Sequence, residues 1–485
     1  MAEKSPPSPS YQAVEEKVDA GMRSSSPLRA WCRRRRAVLL GCAIVFGAPA
    51  GSLFYIASLL PPGFQETSTG FAAKVAASAV FVSGRSLESV YEQELAADGL
   101  LERAFRFFLS IQVDRDEQTV TASTLGVKRT AVFREGYGCT LAIDRTVDEL
   151  RAEVSDIGKS RPQSPPWETM EEGSEKPFDR AVLEAAIDAA FENKKIKTRA
   201  VVVIQDGRLL GERYAEGFHA EMPLPGWSMT KSITHALVGI RMRQGRMRPE
   251  APLALKGWQE ADNPRAAITL DEMLRMTSGL KWNEESPDHL SDMTHMLFME
   301  RSMAGFAARA PVAAAPGKDW VYSSGTTNLI CEALRHSFDE DRDYWEFPRR
   351  ELFDPIGMAS AVFELDASGT FVGSSYCFAT ARDWARFGQL YLDDGVANGR
   401  RILPEGWAAG AAEPTRGSKH RYGRHFWLPR DKALPSKTFL CRGFEGQLLA
   451  IVPEKRLVIV RLGSTRDRKA WDPDAFVASM VEAFH

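Results

Sequence analysis

The hydrophobic pattern along the chain changes character several times. Ala37 to Leu60, "AVLLGCAIVFGAPAGSLFYIASLL", is a run of 24 residues without a charge. About 20 apolar residues span a bilayer as a helix, so this run predicts a transmembrane anchor, ended by "PPGF" at Pro61. After a helical stretch, "SLESVYEQELA", apolar and polar residues alternate in "FRFFLSIQVD", "TVTASTLG", "KRTAVFRE" and "CTLAID". Period-two runs separated by polar or glycine turns predict a β-meander. From about Asp179 the period becomes helical, with Leu183, Ile187, Ala190 and Phe191 on one face. "TRAVVVIQ", the Asp206-Gly207 turn and "RLLGERYAEGF" then predict a hairpin. Helix-rich sequence fills about 228 to 395. The chain closes with the strands "TFLCRGFEGQLLAIVP" and "RLVIVRLG" and the helix "PDAFVASMVEAF". Strands open and close this last domain, and helices fill its middle, which predicts an α+β fold.

The expected organisation follows. Residues 1–36 form a disordered basic tail, 37–60 the anchor, and 61–159 a small α/β module. Residues 160–177, "SRPQSPPWETMEEGSEKP", form a linker, and 178–485 the main domain.

Charge orients the anchor. Residues 1–36 carry eight Lys/Arg against four acids, including Arg33 to Arg36 beside the apolar run, and the next basic residue is Lys74. The positive-inside rule puts the N-terminus in the cytoplasm and the main domain outside it. A signal peptide cut at Ala48–Ala50 is the alternative. The 36 residues before the apolar run, and the ten apolar residues after that site, favour an uncleaved anchor. The net charge of −2 offers no basic field for nucleic acid. The six cysteines show neither CxxC nor zinc spacing, so we expect no metal, no cofactor and no disulfide.

The candidate chemistry lies in "GWSMTKSITHALVGI", Gly226 to Ile240. A helix starting near Ser228 puts Lys231 one turn on and on the same face. The helix N-terminus favours an oxyanion. A buried lysine loses proton affinity and can act as a base toward a serine. SxxK is a common spacing, and Ser278–Lys281 repeats it. There Gly279 follows the serine and a helical run precedes it, which reads as a helix end where the two side chains need not meet. His235 shares the Ser228 face, but packing accounts for it better than catalysis. "GWSMT" also resembles a G-x-S-x-G elbow without its last glycine, and no later histidine has a telling neighbourhood.

Two later stretches bear on Ser228. "WVYSSGTTNLI" carries Tyr322 before a predicted helix, and a phenol near an ammonium can ionise more readily and shuttle a proton. In "RGFEGQLLAIVP", Gly443 and Gly446 flank the start of a strand, where glycine admits close approach to backbone N–H groups. Singly, each reads as structural. In this order, SxxK, Tyr-x-Ser and a glycine-bearing strand before the last helix, they resemble the serine β-lactamase and penicillin-binding-protein superfamily.

The likeness is to the class C-like branch, which includes esterases, D-amino-acid peptidases and 6-aminohexanoate-dimer hydrolases. "MTSGLKW", "YSSGTTNLI" and "TARDWARFGQLYL" look like the last group, over roughly 176–485. The resemblance implies a β-lactamase/transpeptidase-like fold, an antiparallel sheet flanked by helices with a helical subdomain. It also implies a serine hydrolase acting on small or peptide-like ester or amide substrates. By position, Ser228 would be the acylated nucleophile, Lys231 its proton acceptor and Tyr322 a partner base and acid. Ser324 stands where the family has Asn and would contact Lys231 or substrate. Phe444-Glu445-Gly446 would form the third motif and contact the substrate, and the backbone N–H groups of Ser228 and Gln447 would form the oxyanion hole. The family usually has Lys or His where this chain has Phe444, so we expect weak action on carboxylate-bearing β-lactams and D-amino-acid peptides. A catalytically silent binding member is the other class of reading.

Overall fold

The run Thr198–Gln205 is buried along its whole length, and its alternate side chains enter different cores. Val201 and Val203 pack on one face, and Ala200, Val202 and Ile204 on the other. Alternation sends neighbours to opposite faces. A wholly apolar strand therefore needs cover on both sides, which helices supply.

The computed structural model describes residues 62–95, 108–154, 164–167, 178–253, 255–260, 262–285 and 291–484. The expected tail, the anchor Ala37–Leu60 and most of the linker lie outside them. Among the described residues, no helix is long and apolar enough to cross a membrane.

Gly63–His485 form one compact unit. It opens with α1 (Phe64–Phe81) and α2 (Leu87–Gln93). The meander follows as β1 (Ser110–Asp114), β2 (Thr119–Thr124), β3 (Val127–Arg134) and β4 (Gly138–Leu141), antiparallel and in chain order. Next come α3 (Val147–Val154), α4 (Arg180–Glu192), β5 (Thr198–Gln205), β6 (Arg208–Tyr214) and the short β7 (Leu224–Pro225). Asp179 caps α4 by accepting a bond from Val182 N at 3.0 Å. Asp206 and Gly207 make the β5–β6 turn with φ of 47° and 77°, as a two-residue hairpin requires.

The helical part holds α5 (Thr230–Arg243), α6 (Leu270–Leu274), α7 (Asp292–Met299), α8 (Met303–Ala308), α9 (Ser324–His336) and α10 (Asp341–Pro348). Then come β8 (Val362–Phe363), β9 (Cys377–Ala379), α11 (Ala381–Leu392), the hairpin β10 (Val396–Ala397) and β11 (Arg400–Arg401), and α12 (Trp407–Ala411). The last elements are β12 (Phe439–Gly443), β13 (Gln447–Val452), β14 (Leu457–Gly463) and α13 (Pro473–Val481). The main sheet is antiparallel in the order β12-β13-β14-β5-β6. The helices α4 and α13 cover one face, and α11 with the helical core covers the other. Each fully buried Val, Leu or Ile side chain contributes about 1.5–3 kcal/mol. The first strand in this order, β12, is a sheet edge, and it reaches the turn that carries Ser228.

The helix α1 was not legible in the hydrophobic pattern. Its small residues Ala72, Ala73, Ala76 and Ala77 are buried against β2, β3, β4 and α7, so it shows no polar face. Lys74 is buried too. Its Nζ lies 2.5 Å from Glu364 Oε2 and donates to Ser78 Oγ at 2.9 Å. The other Glu364 oxygen accepts from Cys139 N at 2.7 Å. A buried charge is tolerated only when it is paired and hydrogen bonded. Through this pair α1 holds the segment that leads to Ser374 and β9.

Candidate active site

Ser228 sits in a 3-10 turn, Trp227–Met229, that runs into α5. Trp227 has φ of 46°, a left-handed backbone that costs a non-glycine residue about 1–2 kcal/mol. The surroundings hold it there. Gly226 N donates to Cys377 O at 2.9 Å, and the Trp227 ring packs edge-on against Tyr376 at 6.4 Å and Phe444 at 5.6 Å.

Lys231 lies one turn further and is 1% exposed. Its Nζ donates to Ser228 Oγ, Ser324 Oγ and the Ser374 carbonyl, each at 3.0 Å. Three neutral acceptors satisfy its donors without a touching carboxylate. Burial therefore prevails and lowers the pKa to about 8, against a smaller upward pull from Glu284.

Tyr322 precedes the N-cap of α9, and its ring centroid lies 4.9 Å from Lys231 Nζ. Its ring therefore stands beside the Lys231–Ser228 pair. Sequence reasoning expected the ammonium to ease its ionisation. Instead burial first, and then the Glu284 charge, raise the Tyr322 pKa well above the ordinary phenol value. The phenol stays protonated, which suits an acid and disfavours a base. Trp320, Tyr422 and Trp427 wall this side, with Trp427 5.1 Å from the Tyr322 ring.

Glu284 was missed by sequence reasoning. Ser324 donates to it twice, from N to Oε2 at 2.8 Å and from Oγ to Oε1 at 2.5 Å. Trp282 Nε1 donates to Oε2 at 2.6 Å. A carboxylate at the N-terminus of α9 is favourably placed. Glu284 lies two residues beyond "MTSGLKW", yet nothing in that stretch announces a contact 40 residues further on. Ser324 thus links Lys231 to Glu284.

The third stretch arrives along the sheet edge. A Cβ on Gly443 would stand 2.2 Å from the Gly226 carbonyl oxygen, so only glycine lets β12 close onto the Ser228 turn. Phe444 is 48% exposed beside Trp227. Glu445, expected among the substrate contacts, has φ of 60° and turns its carboxylate inward, 3.3 Å from Arg466 Nε. Burial raises its pKa, partly offset by Arg199 and Arg466. Gly446 has φ of 80° and would clash with Arg461 if it carried a Cβ. Gln447, expected to offer its N–H to the oxyanion, opens β13 inside the sheet with its backbone paired to Gly443, and its side chain is spent on Phe444 O at 3.0 Å and the Gly463 backbone.

The other candidates separate cleanly. Ser278 is buried and bonds Thr326 and Leu280 N, while Lys281 is exposed. His235 is buried, stacked on Trp407 at 4.4 Å and bonded to Tyr391 at 2.7 Å. His425 meets the Lys231 carbonyl at 3.0 Å, and burial next to Lys231 lowers its pKa to about 3.

A family model described as Beta-lactamase matches residues 183–478. The 6-aminohexanoate-dimer hydrolase of Paenarthrobacter ureafaciens is 26% identical over 295 residues, 56% of this chain and 73% of that protein. A Bacillus anthracis structure, provisionally named a 6-aminohexanoate-dimer hydrolase, superimposes with a TM-score of 0.54 at 22% identity. It covers 66% of this chain and 88% of its own. EstCE1, described as a hydrolase with promiscuous acyltransferase activity, gives 0.51 at 14% identity, over 62% of this chain and 97% of its own. These structural likenesses show the α+β fold.

Proposed function

Because the chain belongs to the beta-lactamase family of serine hydrolases, we propose that it cleaves an ester or amide bond through an acyl-enzyme on Ser228. The observation that carries this reading is a buried Lys231, with a pKa of about 8, whose Nζ lies 3.0 Å from Ser228 Oγ. Neutral Lys231 takes the serine proton as Oγ bonds to the substrate carbonyl carbon. The backbone N–H of Ser228, in the turn at the head of α5, receives the oxyanion, a stabilisation of about 3–4 kcal/mol per donor. As the carbonyl re-forms, the bond to the leaving group breaks. The Tyr322 phenol gives that group its proton and recovers one from the Lys231 ammonium. In the second half Lys231, neutral again, takes a proton from water as the water oxygen bonds to the acyl carbon, and returns it to Ser228 Oγ as the acyl–Oγ bond breaks and the acid leaves.

Phe444 presents an aromatic face where a cation would hold a substrate carboxylate, so uncharged acyl substrates are favoured. A panel of p-nitrophenyl esters, short amide oligomers such as 6-aminohexanoate dimer, D-Ala peptides and nitrocefin tests this. Esters or neutral amides should turn over well above nitrocefin. Nitrocefin hydrolysis rivalling the esters would contradict the reading of Phe444.

The pH dependence follows from Lys231, which must be neutral to accept a proton. kcat/KM on a neutral ester should rise with pH and level off above about 8. Glu284 pulls the Lys231 pKa upward. Glu284→Gln should therefore shift the rising limb to lower pH; an upward shift would refute the coupling.

We also propose that Ala37–Leu60 anchors the enzyme, with its N-terminus cytoplasmic and its hydrolase domain outside. In that case the full chain resists carbonate extraction and its hydrolase domain is open to external protease. Release by carbonate would refute the anchor.

A further inference from the structure

The Ser374 carbonyl that receives the third Lys231 donor has a support of its own, and it comes from α9. Ser374 is fully buried, and its N–H donates to Asn328 Oδ1 at 3.2 Å. Asn328 is buried as well and stands four residues after Ser324, so the two share one face of α9. One turn of this helix offers Ser324 Oγ to Lys231, and the next holds the segment that offers Ser374 O. The other end of the Asn328 amide gains little. Its Nδ2 donates to two thioether sulfurs, Met296 Sδ at 3.5 Å and Met303 Sδ at 3.9 Å, which are weak acceptors. An apolar side chain would fill this place at less desolvation cost. What the amide adds is an acceptor for Ser374 N. From the α5 side, Thr234 Oγ1 donates to Gly373 O at 3.1 Å. A Cβ on Gly373 would stand 2.2 Å from Cys331 Sγ, so Gly373 and Ser374 are pressed between α5 and α9.

The consequence concerns the direction of the base. A neutral amine has two N–H groups and one lone pair, and only the lone pair can take the serine proton. Ser374 O can only accept a hydrogen bond. Ser324 Oγ gives its own proton to Glu284 Oε1 at 2.5 Å, so toward Lys231 it too accepts. With both N–H groups taken, the lone pair is left for Ser228 Oγ at 3.0 Å. Without the Ser374 carbonyl the amine is free to rotate and to turn an N–H toward the serine. We propose that Asn328 is a positioning residue for the base: it fixes the Ser374 carbonyl, which directs the Lys231 lone pair at Ser228. This rests on Ser228 as nucleophile and Lys231 as base. Glu284, Tyr322 and His425 are the titratable groups that face Lys231, and a change at Asn328 leaves all three in place.

The test uses the full chain and a p-nitrophenyl ester. Asn328→Leu keeps the volume of the side chain and removes the acceptor. It should lower kcat by about tenfold, with KM within about twofold of wild type, since misaligned reacting groups slow the step without weakening binding. The Lys231 ammonium also loses the fixed carbonyl that favours its charged form, so the rising limb of kcat/KM should move to lower pH. Packing that merely loosens and admits water would relieve the burial of Lys231 and move the limb to higher pH. Asn328→Asp keeps an acceptor of the same shape and should recover part of kcat. An unchanged kcat in folded Asn328→Leu would overturn the proposal. So would a limb that moves up, or an Asn328→Asp variant no faster than Asn328→Leu. Loss of the fold in both variants would make Asn328 a core residue and overturn it too. A wild type that a fluorophosphonate does not label at Ser228, or full activity in Lys231→Ala, would instead defeat the assignment of nucleophile and base, and this proposal with it.

Discussion

Replacing Lys231 by alanine lowers kcat at neutral pH by about 10²–10⁴-fold, the range that a positioned general base supplies. The serine hydroxyl then has no neighbour able to take its proton. Tyr322 cannot substitute, because burial and the Glu284 charge keep its phenol protonated. His425 cannot either, since its Nδ1 is committed to the Lys231 backbone carbonyl. Lys231→Arg should fail nearly as badly, because a guanidinium does not release its proton in this pH range. The measurement is the single-turnover acylation rate on a p-nitrophenyl ester. Full activity in either variant would point to another base.

Gly443→Val carries the second large effect. Its Cβ would stand 2.2 Å from the Gly226 carbonyl oxygen and 3.0 Å from the Gln447 side chain. Gly226 is itself tied to Cys377, so the β12 edge must retreat from the Ser228 turn. A Ser228 turn pushed off its place and losing its oxyanion donor costs about 10²–10³-fold in kcat, and overpacking of this kind costs about 1–3 kcal/mol of stability. Steady-state kinetics beside thermal melting separates the two. Near-wild-type kcat in a folded Gly443→Val variant would show that this edge does not approach the reacting carbonyl.

The hydrolase core was legible where local rules and tertiary structure agree. The helical period of Leu183, Ile187 and Ala190, the Asp206-Gly207 turn and the continuous apolar runs of the closing strands are all local signals. The Ser228–Lys231 pair was legible for the same reason: one turn of helix brings both side chains to one place. Other features depend on distant sequence. The helix α1 is buried on most sides, so it lacks the polar stripe that marks a surface helix. Glu284 gains its role from Ser324, and the carbonyl that takes the third Lys231 donor belongs to Ser374. Glu445 read as a charge in the substrate site, but its carboxylate lies inward against Arg466. The Tyr322 phenol illustrates how magnitudes decide: a nearby lysine was visible in the motif, while the burial that outweighs it was not.

The central claim is that Ser228 is the nucleophile of an acyl-enzyme. Intact-protein mass spectrometry during turnover of a slow p-nitrophenyl ester, followed by peptide mapping, tests it most directly. The account predicts one added acyl mass on the peptide containing Ser228, lost over time in wild type and absent in Ser228→Ala. Hydrolysis without such an adduct, or an equal adduct in Ser228→Ala, would contradict it.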